Sequence, residues 1–99
     1  MITQTGLNKV ADRIKGLIAN GRYTKDGVVG TIALHSTKLE GNILSVYLLF
    51  DNAFAGNFTK FELIDIDGAV FADQPDNITK VDTKLLLVTF KFTVTEVIN

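Results

Sequence analysis

The chain has no cysteine and no tryptophan, and only one histidine, one proline and one methionine among its 99 residues. Without cysteine there is no disulfide framework, no thiolate nucleophile and no Cys-ligated zinc. His35 has no second imidazole or thiol to complete a metal site or a nucleophile–base pair, and it reads as a surface residue at the end of a strand. An excess of one charge is missing too: ten Lys and Arg stand against eleven Asp and Glu, net −1, with no polybasic run. Nucleic acid and anionic membrane are therefore not the expected partners. No apolar run approaches the roughly 18 residues of a membrane span. The opening MITQTGLNKV lacks the basic segment and apolar run of a signal peptide, so synthesis in the cytosol is expected, with departure only by a signal-free route. There is no Gly-x-Ser-x-Gly, no phosphate-binding glycine loop and no metal-ligand spacing. The expectation is a protein that is not an enzyme, with no cofactor, no metal and no small-molecule substrate.

What is present is apolar. Hydrophobic residues make up 46% of the chain, and the mean hydropathy of +0.24 is high for so short a sequence. One domain spanning 1–99 is expected, large enough to bury roughly two-thirds of its unfolded surface. The surplus of apolar residues points to surface covered by a neighbouring subunit.

Residues 5–20 carry the helical period. Leu7, Val10, Ala11, Ile14, Leu17 and Ile18 form one stripe, the expected core face of an amphipathic helix. Thr5 is the expected N-cap and Gly21 the left-handed residue that ends the helix, while Gly16 suggests a close approach of another backbone. From 23 to 97 the period is two. A turn at Asp26-Gly27 precedes a strand at 28–35, residues 36–42 read as a loop, and 43–51 is apolar at nearly every position, as in a central strand covered on both faces. Strands 28–35 and 43–51 would form a hairpin. Phe54, in the small-residue loop 52–57, either plugs one end of the core or meets a partner.

Strands at 58–66 and 69–72 flank Asp67-Gly68, read as a two-residue type I′ turn. Asp65 and Asp67 lack the ligand number and closing Glu of a calcium loop, so they belong to the turn. Residues 73–83, with Pro75, read as a polar crossing between sheets. The last strand, 84–97, alternates cleanly: Leu86, Val88, Phe90, Phe92 and Val94 on one face, Leu87, Thr89, Lys91, Thr93 and Thr95 on the other. Its apolar face is the expected receiver of the helix. If it lies at an edge, only Lys91 guards it against pairing with another chain. The fold expected is mainly β (α+β): an antiparallel β-sandwich or rolled sheet of about six or seven strands with one N-terminal helix. Possible partner contacts are Phe54, Phe58 and Lys91.

Thr3, Gly6, Leu7 and Asn8 at the start, Phe61-Glu62-Leu63-Ile64-Asp65-Ile66-Asp67-Gly68 in the hairpin, and Ile78-Thr79-Lys80 before the last strand form a pattern. It resembles the N-terminal domain of tail-fibre and tail-appendage proteins of tailed bacteriophages, and small virion structural proteins built on it. The resemblance covers nearly the whole chain. The sequence departs from it at Gly30-Thr31-Ile32, where fibre proteins often carry Gly-Thr-Gly, and at Glu62-Leu63-Ile64-Asp65, where they have Gly-Leu-Phe-Asp. No distal receptor-binding part follows within the 99 residues. The resemblance implies an oligomeric tail, baseplate, collar or appendage-docking protein of the virion, whose partners are other virion proteins and copies of itself. The alternatives are a capsid decoration or head-fibre protein, or a small receptor- or glycan-binding module using Phe54, Tyr47 and Tyr23.

Overall fold

A computed structural model describes residues 1–96. The expected strand end at Val97 falls outside them. Helix α1 (Gln4–Leu17) is followed by seven strands: β1 (Ile18–Lys25), β2 (Val28–Ile32), β3 (Ser36–Glu40), β4 (Ile43–Phe50), β5 (Gly56–Asp65), β6 (Val70–Lys80) and β7 (Leu86–Thr93). They form two antiparallel sheets, one ordered β2-β1-β5-β6 and the other β3-β4-β7. The fold is a mainly β sandwich with one N-terminal helix.

Helix α1 starts one residue earlier than expected and its cap lies two residues earlier. Thr3, not Thr5, is the N-cap: its Oγ1 accepts the Gly6 N–H at 3.1 Å and its carbonyl accepts the Leu7 N–H at 3.0 Å. The helix passes directly into β1, because Ile18 turns extended (φ −92°, ψ 121°) and is buried in the core. Gly21 is therefore no helix terminator. It lies in β1 under Leu48, whose Cδ2 would stand 2.6 Å from any Cβ placed there. The inward line of the helix is half-buried Leu7, fully enclosed Ala11 and half-buried Ile14, and it continues into buried Ile18 at the start of β1. Val10 and Leu17, expected on the core face, lie on its shoulder, 44% and 43% exposed. Gly16 meets no backbone; it is exposed and nothing described stands within 4 Å of a Cβ there. Because its end is tied into β1, α1 rests on β4, β3 and β1 rather than on β7.

The 28–35 strand breaks after Ile32, and residues 33–35 carry the chain from one sheet to the other. Residues 36–40 are strand, not loop. They pair with β4 through a Gly41-Asn42 turn in which Gly41 has φ 61°, so the expected 28–35/43–51 hairpin is replaced by β1–β2 and β3–β4. Segment 36–40 looks like a loop because it is an exposed edge strand. β4 is central, but only one face is fully covered. Leu44, Val46, Leu48 and Phe50 are buried, and Ile43, Ser45, Tyr47 and Leu49 are half-buried.

The two Asp-Gly pairs differ. Asp26 and Gly27 both have positive φ (51° and 78°), the two-residue turn that Asp-Gly favours. At the second site only Gly68 does (φ 84°), and Asp67 does not. Gly68 N–H reaches the Asp65 carbonyl (3.0 Å) and Asp65 N–H reaches the Ala69 carbonyl (2.9 Å), so this is a type I turn over Ile66-Asp67 closed by a glycine bulge. Asp65 dictates it: its Oδ1 accepts the Asp67 and Ala69 N–H groups at 2.9 Å each. β6 then runs to Lys80, so most of the expected 73–83 crossing is strand. Its polarity and Pro75 fit an edge position, where a missing donor costs little.

The core lies between the sheets: Leu44, Val46, Leu48 and Phe50 from β4, Val88 and Phe90 from β7, Phe58, Phe61 and Leu63 from β5, and Ile18.

Candidate functional site at an open sheet edge

Every open sheet has edges, and bare edges invite pairing with other chains. Among the described residues this sandwich has four, and three are blunted. β2 and β3 are five residues long, and β3 carries Lys38 and Glu40. β6 is long but holds Pro75, Asp73 and Asp76, and its pairing with β5 shifts register twice.

β7 differs on each count. Its eight residues contain no Gly or Pro, its register with β4 is continuous from Ile43↔Thr93 to Phe50↔Leu86, and it carries one charge, Lys91. Its backbone polarity follows from one bond. Val94 N–H donates to Asn42 O at 2.9 Å, so in this register the even-numbered residues of β7 bond to β4. The N–H and C=O groups of Leu87, Thr89, Lys91 and Thr93 then point away from the sheet. Among the described residues, no strand pairs with that side. The odd-numbered side chains form the outer face of this sheet, where Leu87 is 53% exposed beside half-buried Leu49.

A shallow depression of about 230 Å³ on the same face is lined by Lys38, Glu40, Ile43, Ser45, Tyr47 and Lys91. The Lys38 Nζ is already engaged by Glu40 Oε1 at 2.8 Å, and this pair holds the Glu40 carboxyl below its usual range.

Of the three residues expected to meet a partner, only Lys91 is at the surface. Phe58 has no exposed area; it points into the core and stacks on Phe61 with centroids 5.5 Å apart. Phe54 is half-buried and takes the plugging role, edge-on to Tyr23 (5.5 Å) and Phe50 (5.3 Å) with Lys25 Nζ 5.9 Å from its ring centre. Among the described residues no group of three or more His, Cys, Asp or Glu could hold a metal, and no helix is long and apolar enough to cross a membrane. Comparison of the chain with protein-family models, curated proteins and solved structures finds no match in any of the three.

The strongest electrostatic feature of the molecule carries no motif in the sequence. Arg22 in β1 lies directly opposite Glu62 in β5, and its Nε and Nη2 donate to the two carboxylate oxygens at 2.9 and 3.0 Å, with Lys60 Nζ at 3.6 Å. Glu62 is 3% exposed. The Arg22 hydrogen bonds hold its carboxyl below the usual range against the opposing effect of burial. Shielding comes from neighbouring side chains, and Arg22 is itself one-third exposed, so the pair is partly screened by solvent. The available signal was a lone Glu inside an apolar strand, which requires a cation across the sheet.

Proposed function

We propose that this protein is a non-catalytic building block that joins its neighbour in a larger assembly by adding a strand at β7. The observation that carries this is the outward row of Leu87, Thr89, Lys91 and Thr93 backbone groups on the one long, regular edge. Strand addition draws affinity from main-chain hydrogen bonds and specificity from alternate side chains, and β7 supplies both. The resemblance in the N-terminal segment and the β5–β6 hairpin supports placing that assembly in the virion of a tailed phage, as a tail, baseplate, collar or appendage-docking component. A glycan-binding role draws less support, because Tyr23 and Phe54 are committed to the aromatic cluster that closes one end of the core.

The test is Thr89→Pro. Thr89 N–H points away from β4, so proline there removes no bond within the chain but blocks an incoming strand. The variant should melt near wild type and be missing from purified particles in which mass spectrometry finds the wild-type chain. Incorporation of Thr89→Pro at the wild-type level would overturn the proposal.

A further inference from the structure

We infer that the neighbour at β7 is a second copy of this chain, paired antiparallel about a two-fold axis that passes through Thr89. This rests on strand addition at β7 and goes further, by naming the partner and the register. A strand that completes this edge must alternate apolar and polar residues with no proline or bulge in the way, and any charge it carries must find a register free of a like charge opposite. β7 itself meets that requirement, and a net charge of −1 per chain sets little repulsion between copies.

Backbone parity restricts the symmetric registers. Only odd-numbered residues face the open side, so an odd residue must lie opposite an odd residue of the second copy. An axis at Lys91 sets ammonium against ammonium, which is destabilising. An axis at Phe90 leaves the two lysines on neighbouring diagonals. An axis at Val88 pairs Lys91 with Leu85, beyond the end of the strand. The axis at Thr89 sets Thr89 against Thr89 and lays the aliphatic stem of Lys91 over the exposed Leu87 of the second copy. On the inner side it sets Leu86 opposite Phe92 and Val88 opposite Phe90. The two half-buried residues at the margins of the core, Leu86 and Phe92, then cover each other. Two three-stranded sheets become one continuous sheet.

The chain has no cysteine, so a single introduced thiol reports cleanly on the register. Residues opposite each other in a hydrogen-bonded antiparallel pair have Cα atoms about 5.5 Å apart, within disulfide reach. In the proposed register Leu87 and its symmetry mate are four residues out of step, about 13 Å along the strand, and so are Lys91 and its mate. Light scattering of the wild-type chain should give twice the chain mass at high concentration. On mild oxidation Thr89→Cys should become a covalent dimer, while Leu87→Cys and Lys91→Cys stay single chains on a non-reducing gel. Absence of the Thr89→Cys link, or equal linking by Leu87→Cys or Lys91→Cys, overturns the register. A wild-type mass of one chain at every concentration overturns self-pairing while leaving strand addition standing. Strand addition falls on a separate result, incorporation of Thr89→Pro into particles.

Discussion

The two sheets of this sandwich solve the same packing problem and treat their borders in opposite ways. The four-stranded sheet is irregular. Its β1–β5 and β5–β6 pairings each shift register twice, it carries the Arg22–Glu62 pair on its outer face, and its long edge β6 contains Pro75. The three-stranded sheet pairs without interruption and ends in β7, with one lysine along the edge. Bulges, proline and charge are the usual means of closing an edge. Bulges and proline are confined to the four-stranded sheet, and the charged pair of the other sheet, Lys38 and Glu40, lies on β3, which leaves β7 as the open border.

The largest expected effect probes the inner side of that border. Val88 is 4% exposed and its backbone bonds to β4, one residue from a position whose backbone faces outward. Val88→Pro removes a ladder bond and core packing together, about 3–5 kcal/mol against a typical total of about 5–15. It should leave the chain unfolded or deeply destabilised by thermal melting and circular dichroism, whereas Thr89→Pro melts near wild type. Equal loss at both positions would show that the two sides of β7 are not distinct.

Much of this contrast was legible in the sequence, and what was not has physical causes. The alternation from Leu86 to Thr93 gave β7 its faces directly, because a half-buried strand writes its period into the chain. The helix was legible from its stripe, but its rotation was not. Six apolar residues fit one face, and only packing decides that Leu7, Ala11, Ile14 and Ile18 are turned inward while Val10 and Leu17 are left on the shoulder. Segments 36–40 and 73–80 have the composition of loops, since a strand bonded on one side and wet on one face has little need of apolar residues. The Asp67-Gly68 dipeptide gave the place of the turn but not its type, which Asp65 sets through its side chain. That β7 lies at an edge could not be read at all, because strand order depends on pairings between distant segments.

A middle-sized effect belongs to the irregular sheet. Glu62→Gln removes the charge that Arg22 grips with two hydrogen bonds. Discounted for solvent screening, the loss should be about 1 kcal/mol, a fall in Tm of roughly 4–8 °C for a domain of this size. The pH dependence has a definite sign. The folded carboxyl titrates below its unfolded value of about 4.3, so its contribution is full above that value and disappears as pH falls through the lowered folded pKa. The Tm gap between wild type and Glu62→Gln should be present at pH 7 and close on acidification below pH 4 or so. A gap unchanged at low pH would mean that the pair acts through shape rather than charge.

The smallest effect is expected where the regular sheet carries its own ion pair. Lys38 and Glu40 sit two residues apart on β3 with side chains 61% and 66% exposed, joined at 2.8 Å. Glu40 also titrates low because of Lys38, so on direction alone it resembles Glu62. The geometry separates them. Glu62 binds across two strands, out of water, with both oxygens engaged, whereas Glu40 reaches along its own strand through one oxygen in full solvent. Water and salt replace such a contact with little loss, and ordering two long side chains offsets the remainder. Glu40→Gln should therefore leave Tm unchanged at pH 7, at pH 4 and in high salt. A fall in Tm comparable to that of Glu62→Gln would place part of the sandwich's stability on the outer face of the β3–β4–β7 sheet. That face would then be structural in its own right, and the regular sheet could no longer be distinguished by the freedom of its surface to meet another chain.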